Sequence, residues 1–402
     1  MENIYEQIRK LSFKYENETA DFLAKMIQTP SFSMKEKEMV AVIKNEMEKI
    51  GFDKIRIDDL GSIIGKIGNG KQIIAFDAHI DTVYPGNLEN WNFPPHAGII
   101  KNGKVWGRGA SDQLGGMASM VYAAKIIKEL DLNNDFTILF TGTVMEEDCD
   151  GIAWKHLIAE DNIRPEIVVS TEPTSLNIYR GHRGRMEISV EVKGVSCHGS
   201  APERGENAIY KMARIALEIE KLNDHLKHDD FLGKGTITTT IFESDSPSQC
   251  AVADFARIHI DRRLTFGETK VSALSEIEEC CRKARISNAT IKVLQYNEKA
   301  YTGKSYPVEK YFPTWKLEKN SKWLKNAEIS YNNIFNKKPK IDKWTFSTNC
   351  VFIMGEHAEI KCIGMGPGDE NQAHAPNEMT RISDLSAAAA FYAAFVAQLN
   401  NK

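Results

Sequence analysis

Apolar positions along the chain keep two rhythms, and the change between them divides it. Through the first ~180 residues, short apolar runs alternate with stretches of helical spacing. The run Ile73–Asp81, IIAFDAHID, stays largely apolar until it delivers His79 and Asp81 just ahead of a Tyr84-Pro85-Gly86 turn. Side chains two apart on an extended strand share a face, so these two project together. Ser62–Ile67, Gln72–Ala78, Phe136–Met145 and Glu166–Thr171 also read as strands, and Gly68-Asn69-Gly70 has the chemistry of a hairpin turn pairing the first two. Helical spacing covers Thr19–Met26 and Lys35–Ile50, the latter entered through Ser31-Phe32-Ser33 and closed by Gly51. It returns from Ser111 or Asp112 to Leu130 and again over Ile152–Glu160. Strands alternating with helices predict an α/β fold, with a mainly parallel sheet covered on both faces. Ligands bind such sheets at the C-terminal ends of their strands.

From Tyr179 the pattern changes. Glu187–Val195 alternates, Ala208–Leu222 is helical, Gly235–Phe242 and Phe255–Leu264 are strands, Glu268–Ala284 is helical and Ala289–Leu294 is a strand. That β-α-β-β-α-β order is the split-βαβ signature of a ferredoxin-like α+β module. The expected organisation is one domain of residues 1–180 and 299–402, interrupted by an inserted domain of residues 181–298. After the insertion come a helix Asn320–Phe335, a Trp344–Asn349 loop, a strand at Ile360–Ile363, the loop GMGPGDENQAHAPNE and an Ala-rich helix Ser383–Leu399.

Composition narrows the function classes. The 402 residues carry a formal net charge of −4, which leaves no basic footprint for nucleic acid or an anionic membrane and favours a small-molecule partner. The apolar run Ala387–Ala397 is shorter than the ~20 residues that span a bilayer. The charged N-terminus lacks the apolar core of a signal peptide, so the expected compartment is the cytoplasm. The seven cysteines form no CxxC pair, which points to reduced thiols, and Cys149 reads as a small buried residue. Any metal must then sit on His and carboxylates. His79, Glu147 and Glu172 stand where predicted strands end, Asp112 at a helix start and His374 in a Gly/Pro-rich loop. Each has a bland reading alone, as a loop histidine, a helix cap or part of a solvated acidic run. Together, five such oxygen and nitrogen donors suit two divalent ions sharing a carboxylate, Zn²⁺ foremost and Co²⁺ or Mn²⁺ as alternatives.

HIDTV, GRGASDQLGG, MEED, TEPT and GPGDENQAHAPNE, in this order, resemble the cocatalytic zinc amidohydrolases of the acetylornithine deacetylase, succinyl-diaminopimelate desuccinylase and carboxypeptidase group. SPSQCAVADFARIHIDRRLTFGE and KWTFSTN further resemble its selenium-metabolism-linked hydrolase subfamily. The resemblance implies that Asp112 bridges two metals, His79 and Glu172 holding one and Glu147 and His374 the other. It makes Asp81 the residue behind His79, and Glu146 the general acid/base that takes a proton from a water and returns it to the leaving nitrogen. The inserted domain becomes a lid and dimerisation domain, hinged near Tyr179–Gly184 and Leu294–Tyr301, whose His198 stabilises the oxyanion across a homodimer interface. Arg263 is implied to clamp a substrate carboxylate, and Asn349 and Gly366 to line the substrate loops; Arg262, next to Arg263 in a strand, points the other way, and surface pairing is its expected role. Gln249-Cys250-Ala251 departs from the family, which often has an Asn there. The expected activity is hydrolysis of a non-peptide amide or ureido C–N bond in a small N-acyl or N-carbamoyl amino acid. The rivals are a metallo-dipeptidase or carboxypeptidase and a non-catalytic binder of amino-acid derivatives.

Overall fold

Two strands of the first rhythm, packed side by side and buried on both faces, form the centre of a computed structural model that describes residues 3–133 and 135–400. Positions 1, 2, 134, 401 and 402, which belong to the expected ranges 1–180 and 299–402, lie outside the described residues. In chain order the strands of the two large sheets are β1 (Lys54–Ile57), β2 (Ile63–Ile67), β3 (Gln72–His79), β4 (Phe136–Thr143), β5 (Ile167–Ser170), β6 (Ile178–Tyr179), β7 (Gly184–Lys193), β8 (Thr236–Asp245), β9 (Phe255–Leu264), β10 (Thr290–Val293), β11 (Tyr311–Phe312), β12 (Ile341–Asp342) and β13 (Lys361–Gly364). The helices are α1 (Ile4–Lys14), α2 (Glu16–Ile27), α3 (Lys37–Ile50), α4 (Leu114–Glu129), α5 (Ile152–Ala159), α6 (Ala208–Leu222), α7 (Lys270–Lys283), α8 (Lys322–Phe335) and α9 (Ile382–Asn400).

The larger sheet runs β1-β2-β4-β3-β5-β13-β6-β12. Its middle, β4-β3-β5-β13, is parallel throughout, the arrangement expected of strands buried on both faces. The predicted β2–β3 hairpin does not form. β4 enters between the two, antiparallel to β2 and parallel to β3. The glycines serve that insertion: a Cβ at Gly70 would stand 2.1 Å from the Asp135 carbonyl oxygen, and one at Gly68 2.3 Å from that of Phe136. Only residues without a side chain let the start of β4 come so close.

α4 and α9 pack together against this sheet, rich in Ala and Gly where their backbones approach. By length and apolar composition α9 could cross a membrane, but most of it is buried in the core. Its apolar surface is therefore a core helix's, apolar on every side because every side is covered. α1 escaped the sequence reading because charged residues flank its apolar positions; Ile8 is nonetheless fully buried, and the helix packs against α9.

The second sheet runs β8-β9-β7-β10, with β11 on the end of β7, and every pairing is antiparallel. Taken in chain order with α6 and α7, this is the ferredoxin-like arrangement. It has its own apolar core, in which Met186, Ile188 and Val190 of β7 meet Met212 and Ile215 of α6, Ile258 and Ile260 of β9 and Ile277 of α7.

Where the chain passes from the first sheet to the second, Gly181–His182 pairs with Trp315–Lys316. The buried His182 ring lies against Trp315 and Trp344, donates from Nδ1 to the Arg183 carbonyl at 2.8 Å and accepts the Thr348 N–H at Nε2 at 3.1 Å. Burial lowers its pKa to about 4. Below the ordinary histidine pKa near 6.5 the unfolded chain binds a proton that the folded chain refuses, so this residue's share of stability is present above that pH and is lost between about 6.5 and 4. Thermal unfolding followed across pH 4–7 should show a flatter acid limb for His182→Gln than for the wild type, a comparison that isolates the imidazole from buried carboxylates of opposite sign.

Candidate metal centre

In a parallel sheet the C-terminal ends of adjacent strands share one edge, and there the chain places its acids. β3 ends at His79. β4 ends at Thr143, from which Val144 and Met145 turn the chain into Glu146 and Glu147. β5 ends two residues before Glu172. Asp112 arrives from the turn ahead of α4, whose cap is Gln113 rather than Ser111 or Asp112. His374 arrives from the loop before α9, on left-handed backbone with φ of 60°.

His79 Nε2 stands 3.1 Å from Asp112 Oδ1 and 3.9 Å from both Glu146 Oε2 and Glu172 Oε1. The second Asp112 oxygen lies 3.5 Å from His374 Nε2, which is 2.9 Å from Glu147 Oε2. One carboxylate thus faces two imidazoles, one oxygen to each, and all five expected ligands meet with Glu146 beside them. The MEED acids, which alone read as a solvated run, are mostly withdrawn from water: Glu146 is buried and the Glu147 side chain is 7% exposed. His79, Asp112 and Glu147 form one group with ligand atoms within 4.8 Å of one another, and His79, Glu146 and Glu172 form a second.

This donor set fits divalent cations on two observations. Glu172 Oε2 is buried with no hydrogen-bond partner among the described residues, an orphan that a cation would satisfy. Four carboxylates also share the site with only two imidazoles. Burial, reinforced by neighbouring acids and opposed by His79, holds the Glu146 and Glu172 carboxyls well above their usual range, and burial with the Asp112 charge raises Glu147. Burial would lower the pKa of His79, but the surrounding carboxylates outweigh it and raise that pKa. Asp112 alone is lowered: burial opposes its charge, and His79 beside it prevails. Like charges in a dry site disfavour each other until positive charge is added.

The residues around the ligands hold them by the backbone. His79 Nδ1 donates to the Asp81 carbonyl at 2.8 Å, so the backbone of Asp81 is its nearer acceptor, with the carboxylate at 3.6 Å. The Asp81 carboxylate instead receives the N–H groups of Glu146 and Glu147, each at 3.1 Å, and the Ser33 hydroxyl at 2.6 Å. Asn349, expected at the substrate, is buried with its side chain engaged: it donates to Asp77 and Thr143 at 2.8 and 2.9 Å and accepts the Gly151 N–H at 2.9 Å. It fastens the turn after the acids to the underside of β3. Gly366, also expected at the substrate, is a packing position, since a Cβ there would stand 2.1 Å from the Thr171 carbonyl oxygen and 2.3 Å from that of Glu172.

On the second sheet, Arg263 forks onto Asp261 at 2.7 and 2.9 Å. Arg262 is not at the surface: it is fully buried and paired with Glu268 at 2.5 Å and Glu276 at 3.0 Å, because β9 turns that face onto α7. His198 is exposed on a segment bridged to Ala251, its ring partnered by Ser200 rather than by the acids. Cys149 is buried, and Cys250 is an exposed free thiol.

Two important acids escaped the sequence reading. Asp77 was visible as a lone charge inside an apolar strand, and it gathers Thr141, Thr143 and Asn349. Glu378 closes the HAPNE motif and accepts the Asp112 N–H at 2.9 Å; its position four residues after His374 was the available signal.

Residues 75–398 match the family described as Peptidase family M20/M25/M40. The chain is 53% identical over 380 residues to YgeY of Escherichia coli K12, a match covering 94% of each. It is 30% identical over 221 residues to the protein named "Probable succinyl-diaminopimelate desuccinylase" in Staphylococcus aureus Mu50, covering 53% of this chain and 54% of that one. The crystal structure of aminopeptidase PepT from Bacillus cereus superposes with a TM-score of 0.74 over 96% of this chain and 99% of its own, at 19% identity, a likeness of fold. The chain belongs to peptidase family M20/M25/M40 and is a metallohydrolase of that family.

Proposed function

We propose that the protein hydrolyses a non-peptide amide or ureido C–N bond in a small N-acyl or N-carbamoyl amino acid, using two divalent ions, Zn²⁺ foremost. The observation that carries this is the Asp112 carboxylate between His79 and His374, with a carboxylate of no other assignment, Glu146, at its side. His79, Glu172 and Asp112 would hold one ion, and Asp112, Glu147 and His374 the other. When bound, such ions supply Lewis acidity to the substrate carbonyl and make a water easier to deprotonate.

The chain's own groups carry the proton. Glu146 and Glu147 are adjacent, so their side chains diverge, one towards the ligand set and one free to act as base. Asp81 fixes both through their N–H groups. Glu146 takes the proton from the attacking water and delivers it to the leaving nitrogen. His198 suits oxyanion stabilisation because its Nδ1 accepts the Ser200 N–H at 3.1 Å, which leaves the proton of the neutral ring on Nε2, free to donate. The histidine that reaches a given centre would come from a second copy. The exposed edge strand β8, with Ile241 and Phe242 uncovered, supports a homodimer through this domain. Arg263 stays available to a substrate carboxylate, since its pair with Asp261 is a third exposed and such solvated pairs are weak. Free cysteines throughout suit a reducing, cytoplasmic setting.

The desuccinylase name of one relative favours acyl amino acids, while the PepT fold keeps a metallopeptidase as the second reading. A panel of N-acyl and N-carbamoyl amino acids set against di- and tripeptides decides: turnover confined to the peptides rejects the first reading. Glu146→Gln should lower kcat about 1,000-fold or more while the protein keeps its metal by elemental analysis. His198→Ala should lower kcat by about 100- to 1,000-fold with an unchanged unfolding temperature; mixing it with an Arg263→Ala protein tests whether the histidine acts across the dimer.

A further inference from the structure

The two halves of the metal centre are held by different means. His79 and Glu172 extend from neighbouring strands of the sheet, and both side chains are 2% exposed. His374 sits on a loop, its side chain 56% exposed, with Glu147 and Asp112 as its ring's partners. What fixes it is a buried ion pair. Glu378, 0% exposed, receives four donors: Arg108 Nη1 at 2.7 Å and the Gly109 N–H at 2.9 Å on Oε2, then the Ser111 N–H at 2.7 Å and the Asp112 N–H at 2.9 Å on Oε1. The other Arg108 amino group, Nη2, donates to the His374 carbonyl at 3.2 Å. One carboxylate and one guanidinium therefore tie together two ligands 262 positions apart in the chain, the expected bridge and the exposed histidine.

Resting on the two-ion reading above, we propose that Glu378 and Arg108 are positioning residues that set the occupancy of the Asp112–Glu147–His374 half of the centre, and that this half loses its divalent ion first. The chemistry is geometric. A carboxylate accepts through both oxygens, and all four donors here need an acceptor. In Glu378→Gln one oxygen becomes an NH₂ that faces two donors, so either the Gly109–Arg108 side or the Ser111–Asp112 side must move. The His79–Glu172 half shares only Asp112 with that network.

The test counts ions rather than turnover. The full-length protein is dialysed against Zn²⁺ at graded free concentrations, and bound metal is measured by elemental analysis, with the Co²⁺-loaded protein followed by its visible spectrum. The wild type should bind two ions. Glu378→Gln should keep the first at wild-type affinity and bind the second about 10-fold more weakly or worse, as loss of a partner behind a ligand does elsewhere. Arg108→Lys keeps a cation for Glu378 but lacks the fork that reaches His374, so it should show the same split and serves if Glu378→Gln fails to fold. Arg262→Met, which breaks the buried pair in the other sheet, controls for general destabilisation and should bind both ions. Equal weakening of both ions, or two ions held at wild-type affinity in both site variants, overturns the proposal. A wild type that binds one ion overturns the two-ion reading itself, and this inference with it.

Discussion

Four carboxylates drawn out of water around two imidazoles are the constraint from which the rest of the structure follows. Burial raises the energy of each charge, and each neighbouring acid raises it again. Left to themselves such groups would separate or take up protons. They stay together because none is free to move: one imidazole and one acid end or follow core strands, and two acids occupy a turn whose N–H groups are captured by Asp81. The favourable energy that pins them comes from elsewhere, from the apolar packing of β3, β4, α4 and α9. Most of the site is thus built on core strands and on a turn fixed through its own backbone, the kind of support that holds ligands in place.

The same constraint explains the layer beneath the ligands, where further acids serve as acceptors. Asp77 lies under the end of β3 and takes Thr141, Thr143 and Asn349. Glu36, fully buried, accepts the N–H groups of Met34 and Met145, two residues of positive φ, and so stabilises the backbone entering the acidic turn. Burial, reinforced by the Asp81 charge, raises its pKa to about 8. Both N–H groups meet the same Glu36 oxygen, Oε1, which accepts them through its two lone pairs whether or not the group is ionised.

Much of this was legible from spacing alone. The parallel sheet followed from strand and helix alternation, the ferredoxin-like insertion from its β-α-β-β-α-β order, and the meeting of His79, Glu147 and Glu172 from their places at strand ends. What was not legible has identifiable causes. The Gly68–Gly70 segment satisfies the local rules of a hairpin, and only the long-range competition of β4 for the edge of β3 overrides them. Arg262 carries a charge that reads as surface, yet the period of β9 puts it on the core face, where Glu268 and Glu276 supply the compensation that composition does not display. Asn349 and Gly366 are near the acids in space, and resemblance conveys that nearness; which way their groups face depends on Asp77 and Thr171, which no local pattern links to them.

The acidic turn is also where the two sheets touch. Arg185, the second residue of β7, donates to Asp150 at 3.0 Å, and Tyr296 on the returning chain donates to Asp148 at 3.4 Å. Both acids lie within four residues of Glu146, so the second sheet is tied directly to the ligand-bearing turn. On its other side that turn is held by two hydrogen bonds to Asp81, which is fully buried and further fixed by Ser33. The Arg185–Asp150 pair is itself largely withdrawn from water, its side chains 19% and 10% exposed, so parting it would strand a buried charge at substantial cost. The turn carrying Glu146 and Glu147 is therefore clamped from two sides, by Asp81 through its backbone N–H groups and by a buried ion pair to the second sheet through Asp150.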